Sequence, residues 1–146
     1  MRVLGVDPGE KRLGIALSDP NNTIASPLMV LKHVSRDKNA ARILEIAREN
    51  ECDRIVVGHA LSAEGEETFA SRRGRRLAGA IRAQLTEGEN RVVLLHDEHG
   101  TTKRAQQIRR EMGVTRAKRS GHLDSLAAAI ILQSYLDETT PPHTHE

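Results

Sequence analysis

Aromatic residues and cysteine are almost absent from this chain. Its 146 residues include no tryptophan, one phenylalanine, one tyrosine and one cysteine. The core must therefore be built from Leu, Ile, Val and Ala, and stacking of nucleobases on aromatic side chains is expected to be a minor means of recognition. The single Cys52 excludes an intramolecular disulfide and a cysteine-rich zinc module. This usage fits a reducing compartment.

Long apolar runs are also absent. No stretch approaches the roughly 18 uninterrupted apolar residues of a membrane span, and the sequence passes from Met1-Arg2 straight into a strand-like segment. We therefore predict a cytoplasmic protein with no membrane partner. A chain of this length has room for one domain with a substantial core. We place that domain at residues 1–137 and predict that residues 138–146 form a flexible tail.

The formal net charge of +2 is too small to indicate a nucleic-acid partner by itself. The basic residues, however, gather in two segments, 72–76 and 103–119, and such a polarised surface suits a phosphate backbone. A solvated helix face is the alternative interpretation of a charge run. The bases of the second segment that we expect to bind nucleic acid are Lys103, Arg109, Arg110 and Lys118.

The apolar pattern predicts an α/β fold. Three strands joined by the turns at Pro8-Gly9 and Pro20 would form an antiparallel meander, and two later strands would lie parallel to the first, with helices flanking the sheet. The phenylalanine, Phe69, begins the apolar pattern of the second helix. The predicted strands are 3–7, 13–19, 24–31, 53–58 and 91–97, and the predicted helices are 35–50 with Ser35 as N-cap, 69–85, 101–113 and 122–136.

Acidic residues stand at the ends of separate predicted core elements. Asp7 closes the first strand, the pair Asp97-Glu98 closes the last strand, and Asp124 falls in the first turn of the last helix. Ligands gather at the carboxyl ends of parallel strands, so these carboxylates are expected to share one site. Asp124 has a simpler alternative role, the capping of its own helix.

Carboxylate oxygens are the ligands that Mg²⁺ and Mn²⁺ prefer. Two such ions about 4 Å apart could activate water and stabilise the leaving oxygen of a phosphodiester, with Asp7 as the bridging ligand. Adjacent strand residues face opposite sides of a sheet, so only one of Asp97 and Glu98 can point fully into the site. The sequence leaves that choice open.

The chain also resembles a known family. Gly5-Val6-Asp7-Pro8-Gly9, Ile55-Val56-Val57-Gly58, Asp97-Glu98 with Thr101-Thr102, and Asp124-Ser125-Leu126-Ala127-Ala128 are similar, in order and spacing, to the motifs of the YqgF (RuvX) family. That family is described as Holliday junction resolvases or pre-16S rRNA nucleases with an RNase H-like fold. The resemblance extends over nearly the whole chain.

The resemblance implies roles for individual residues. Asp7, Asp124 and the acidic pair, with Glu98 favoured over Asp97, would be the metal-binding acids of a nuclease, and Lys11, Arg12 and Thr102 fall at motif positions that contact phosphate. The implied substrate is precursor 16S rRNA or branched DNA, and ribosomal particles are a candidate partner. Monomer and homodimer remain alternatives, although resolving a junction would need two active sites.

Two other functions compete with a nuclease. The hairpin around Asp7-Pro8-Gly9 is similar to the phosphate hairpin of the actin and hexokinase ATPases, but those enzymes close two such domains over the nucleotide. A non-catalytic nucleic-acid-binding factor of ribosome assembly is the more serious alternative. It is favoured by His99-Gly100, which replace the Arg-apolar pair usual in the family, and opposed by the retained acids.

Overall fold

Five strands and three helices make up the described part of the computed structural model, which covers residues 1–59, 64–97 and 120–139, with side chains from residue 124 onward in the last segment. In chain order they are β1 (Arg2–Pro8), β2 (Arg12–Ser18), β3 (Ala25–Lys32), α1 (Arg36–Glu49), β4 (Cys52–His59), α2 (Phe69–Ala83), β5 (Val92–Asp97) and α3 (Ser120–Thr139).

The strands form one sheet in the order β3-β2-β1-β4-β5. β1, β2 and β3 pair antiparallel, while β4 pairs parallel with β1 and β5 pairs parallel with β4. The carboxyl ends of β1, β4 and β5 therefore lie at the same edge of the sheet. This arrangement confirms the predicted mixed five-stranded sheet, a three-strand meander plus two parallel strands.

Alternation of side chains along the strands gives the sheet two apolar faces. One face packs against α1 and α2, and the other packs against α3. The first face contributes Leu4, Val6, Leu13, Ile15, Ile55, Val57 and Val93 to the core. The second contributes Val3, Ala16 and Val56, which meet Ala128, Ala129, Leu132, Tyr135 and Leu136 of α3.

Local signals explain where the helices begin and end. Ser35 caps α1, its hydroxyl accepting a hydrogen bond from the Lys38 backbone N–H, as predicted. Thr68 caps α2 through a reciprocal capping box with Ser71. α3 extends to Thr139, two residues beyond the predicted domain boundary. None of the helices in the described ranges is long and apolar enough to cross a membrane.

One expectation about the helices is wrong. α3 begins at Ser120, so Asp124 lies beyond the first turn and does not cap the helix. Phe69 starts α2 as predicted, and its side chain is 81% exposed whereas Leu77 and Ile81 are buried. The predicted helix 101–113 and residues 140–146 of the predicted tail lie outside the described residues.

Candidate active site at the carboxyl edge of the sheet

Asp7 is the penultimate residue of β1 and lies on the α3 face of the sheet. Gly5 and Val3, two and four residues earlier, face α3: Val3 belongs to its apolar cluster, and a Cβ added at Gly5 would come within 2.7 Å of Leu132 Cβ. The two-residue period of a strand places Asp7 on the same side. Its partner in the antiparallel pair is Gly14 of β2.

Gly14 brings Asp124 to the same place. A Cβ added at Gly14 would lie 1.8 Å from the backbone oxygen of Asp124 and 3.0 Å from the backbone nitrogen of Ser125. Only a residue without a side chain permits this approach of α3 to β2. Gly14 is also the register partner of Asp7. Asp7 and Asp124 are therefore both neighbours of Gly14 at this edge of the sheet.

Arg12 orients the Asp124 carboxylate. Its Nε donates a hydrogen bond of 2.8 Å to Asp124 Oδ2, and the two side chains are 43% and 27% exposed. Arg12 lies two residues before Gly14 and therefore on the same face of β2. The pair places a guanidinium, with donors that suit phosphate, beside the Asp124 carboxylate and on the same face of the sheet as Asp7.

The packing of β5 determines the face of the sheet on which Asp97 lies. Leu94 packs with the α3 cluster, and His96 contacts Tyr135 edge-on at 5.9 Å, so the even-numbered residues face α3. Val93 and Leu95 pack into the opposite core. Asp97 follows that second set, on the face away from Asp7. This geometry does not favour Asp97 as a ligand beside Asp7, and Glu98, the alternative, lies outside the described residues.

The remaining predicted site residues divide into two groups. Lys11 is exposed in the β1–β2 turn, directly before Arg12. The others lie outside the described residues: Thr102, Lys103, Arg109, Arg110 and Lys118.

The donor set fits a divalent metal. Mg²⁺ is commonly held by one or two carboxylates together with water and substrate phosphate, and Asp7 and Asp124 supply two carboxylates on one face of the edge. Within the described ranges, no three His, Cys, Asp or Glu side chains are grouped closely enough to enclose a metal.

Sequence reasoning missed the close approach of α2 to this edge. A Cβ at Gly74 would lie 2.6 Å from the backbone oxygen of Gly58 in β4, so the first turns of α2 lie against the strand ends. From there Arg73 Nε donates a 3.0 Å hydrogen bond to the backbone oxygen of Pro8. The Gly74 interruption of the arginine segment was the available signal.

Known proteins resemble this chain in sequence and in fold. The RuvX family profile, described as "Holliday junction resolvase", matches residues 1–138. A protein of Maridesulfovibrio salexigens named "Putative pre-16S rRNA nuclease" is 37% identical over 139 residues, covering 93% of this chain and 98% of the relative. A protein of Endomicrobium trichonymphae with the same name is 39% identical over 137 residues, covering 93% and 95%.

Two solved structures share the fold. RuvC of T. thermophilus, in complex with a Holliday junction substrate, has a TM-score of 0.57 at 22% identity and covers 97% of this chain and 99% of its own. The fowlpox virus Holliday junction resolvase has a TM-score of 0.58 at 15% identity and covers 96% and 100%. At these identities the likeness establishes an RNase H-like fold. The profile match and the curated relatives together establish that the chain belongs to the RuvX family.

Proposed function

We propose that this protein is a metal-dependent nuclease that hydrolyses phosphodiesters in precursor 16S rRNA during ribosome maturation. The observation that carries the proposal is the junction of Asp7, Gly14 and Asp124, where a backbone approach that only glycine allows brings two carboxylates to one sheet edge. The names of the curated relatives support precursor rRNA as the substrate.

Asp7, Asp124 and Glu98 are the residues proposed to hold Mg²⁺ or Mn²⁺. When bound, the ion would lower the pKa of a water nucleophile and stabilise the charge that develops on the phosphate. Asp97 is the weaker candidate because β5 turns it toward the opposite face from Asp7. Because the packed backbones of β1 and α3 carry the two described carboxylates, their positions would need little reorganisation when substrate binds.

Arg12 and Lys11 are proposed to bind the scissile region of the backbone. Arg12 already contacts Asp124, so a phosphate accepted by its guanidinium would be held next to the carboxylates. Binding through such contacts is salt-sensitive and weakly selective for sequence. Thr102, Lys103, Arg109, Arg110 and Lys118 are proposed to extend this contact along the backbone.

Branched DNA is the second candidate substrate, because the family profile is described as a Holliday junction resolvase. A junction requires two opposed cuts, so this alternative predicts a homodimer. A non-catalytic ribosome-assembly factor is the third reading, and it predicts nucleic-acid binding without turnover.

One assay separates these functions. Wild type and Asp7→Asn are incubated with precursor 16S rRNA and with a four-way DNA junction, each with Mg²⁺, Mn²⁺ or a chelator. We expect metal-dependent cleavage of the precursor rRNA by wild type and none by the variant, with binding retained. Preferential cleavage of the junction would show that branched DNA is the better substrate. Tight binding of either nucleic acid without cleavage would contradict the proposal that the protein is a nuclease.

A further inference from the structure

A groove of about 830 Å³ opens on the opposite face of the sheet from Asp124, immediately beyond Asp7 along the chain. It lies between the β1–β2 turn and the first turns of α1 and α2. Its walls combine apolar and basic side chains. The lining includes Pro8, Leu13, His33, Arg36, Phe69 and Arg76.

Charge in the groove is strongly one-sided. Among its described lining residues four are arginines, Arg36, Arg72, Arg73 and Arg76, and only Glu10 is acidic. Within the described part of the chain, neither Arg36 nor Arg76 has a carboxylate in salt-bridge range. Like charges gathered beside the amino-terminal ends of two helices repel one another and the helix dipoles, and a bound polyanion relieves that repulsion.

Phe69 supplies an aromatic surface in the same groove. The ring is 81% exposed, and the Arg72 guanidinium lies 4.9 Å from its centroid. Arg75 pairs with Glu67 at 2.8 Å, and Arg72 Nε lies 3.7 Å from the same carboxylate, within salt-bridge range. With one side of the ring supported in this way, its exposed surface is available for a nucleobase.

His33 adds a hydrogen-bond donor of fixed direction. Asn39 Oδ1 accepts from the Val34 backbone N–H, so the Asn39 amide nitrogen donates to His33 Nδ1 at 2.9 Å. In the neutral imidazole this leaves the proton on Nε2. The exposed His33 ring therefore presents an N–H donor at the wall of the groove.

We infer that the groove binds an unpaired segment of the nucleic-acid substrate, with a base stacked on Phe69 and the flanking phosphates on Arg36 and Arg76. A fully paired duplex hides its base faces, so the phenyl ring distinguishes an unpaired strand from a paired one. Arg73, in the wall of the groove, donates a hydrogen bond to the backbone oxygen of Pro8. Pro8 directly follows Asp7 in the chain, so the groove lies next to the candidate active site. This inference rests on the proposed function, because it assigns the groove to the same substrate.

The test uses the full chain with Asp7→Asn, so that binding is measured without cleavage. Phe69→Trp introduces the only indole into a chain without tryptophan. We expect a duplex with an unpaired extension to quench the indole emission and a blunt duplex of the same sequence to leave it unchanged. Equal quenching by both, or none by either while both bind, would overturn the inference.

Affinity provides the second readout. Phe69→Ala should weaken binding of the extended duplex by about tenfold, the loss expected for one stacked base, and should leave blunt-duplex affinity unchanged. Ile24→Ala is the matched control, because Ile24 is an exposed apolar residue (61%) outside the groove. Equal losses on both duplexes would contradict the assignment. Cleavage by Asp7→Asn would refute the proposed catalytic site and leave this binding result standing.

Discussion

Substitution of Gly14 by alanine tests the geometry of the candidate site. The new Cβ would lie 1.8 Å from the Asp124 backbone oxygen, whereas ordinary contacts begin at about 3.4 Å. β2 and the start of α3 must therefore separate by well over an ångström. Overpacking of this kind costs about 1–3 kcal/mol of stability, and a 1 Å misplacement of a catalytic group can lower the rate about a hundredfold.

Two other glycines provide matched controls. A Cβ at Gly5 would meet Leu132 Cβ at 2.7 Å, at the same sheet–helix interface but about 12 Å along α3 from Asp124. Gly5→Ala should also destabilise the fold while reducing cleavage much less. Gly79 has nothing within 4 Å of an added Cβ, so Gly79→Ala should stabilise α2 by about 1 kcal/mol.

The assay measures the free energy of unfolding in urea together with single-turnover cleavage per folded molecule. We expect Gly14→Ala to lose much more activity than Gly5→Ala at comparable stability. Wild-type cleavage and stability in Gly14→Ala would refute the argument that this close approach positions Asp124.

Three smaller predictions follow from individual contacts. Arg12→Ala should lower cleavage while changing stability by less than about 1 kcal/mol, since the pair with Asp124 is exposed, and Arg12→Lys should restore only part of the rate; full activity in Arg12→Ala would contradict the positioning role. Hydrogen bonds from Arg48, and then from the Thr86 backbone, lower the pKa of Glu89 from 4.5 to about 2, so its stabilisation is complete above pH 4.5 and is lost toward pH 2. The free energy of unfolding should therefore fall more steeply between pH 4.5 and pH 2 in wild type than in Glu89→Gln. Identical pH dependence of this free energy in the two proteins would contradict the prediction. Burial raises the pKa of Cys52 to about 11, so the native thiol should react with a disulfide reagent at pH 8 far more slowly than in urea; equal rates would show that the thiol is accessible.

The fold could be predicted because its signals are local. Short apolar runs bounded by turn residues specified the five strands, and Ser35 specified the start of α1 to the residue. The positions of Asp7 and Asp97 at strand ends followed from the same pattern. The faces of the two acids did not, since the face of β5 is set by the packing of Leu94 and His96 against α3.

The site could be predicted only in part because contacts between distant residues are not visible in one chain's pattern. The sequence shows Gly14 only as a glycine within a predicted strand. Its importance is visible only once the packing of α3 against β2 is known. Phe69 begins the apolar pattern that continues to Leu77 and Ile81, and the pattern does not show that its side chain is exposed at the first turn of α2. The groove that Phe69 lines was missed for the same reason.

The most direct test of the metal site is Mn²⁺ binding, followed by loss of the free-ion electron paramagnetic resonance signal. Wild type is compared with Asp7→Asn, Asp124→Asn and the control Asp53→Asn, whose carboxylate lies near the opposite end of β4 from the site. We predict that the first two variants bind Mn²⁺ much more weakly than wild type and that Asp53→Asn binds it normally. Wild-type Mn²⁺ affinity in both Asp7→Asn and Asp124→Asn would contradict the proposed metal site.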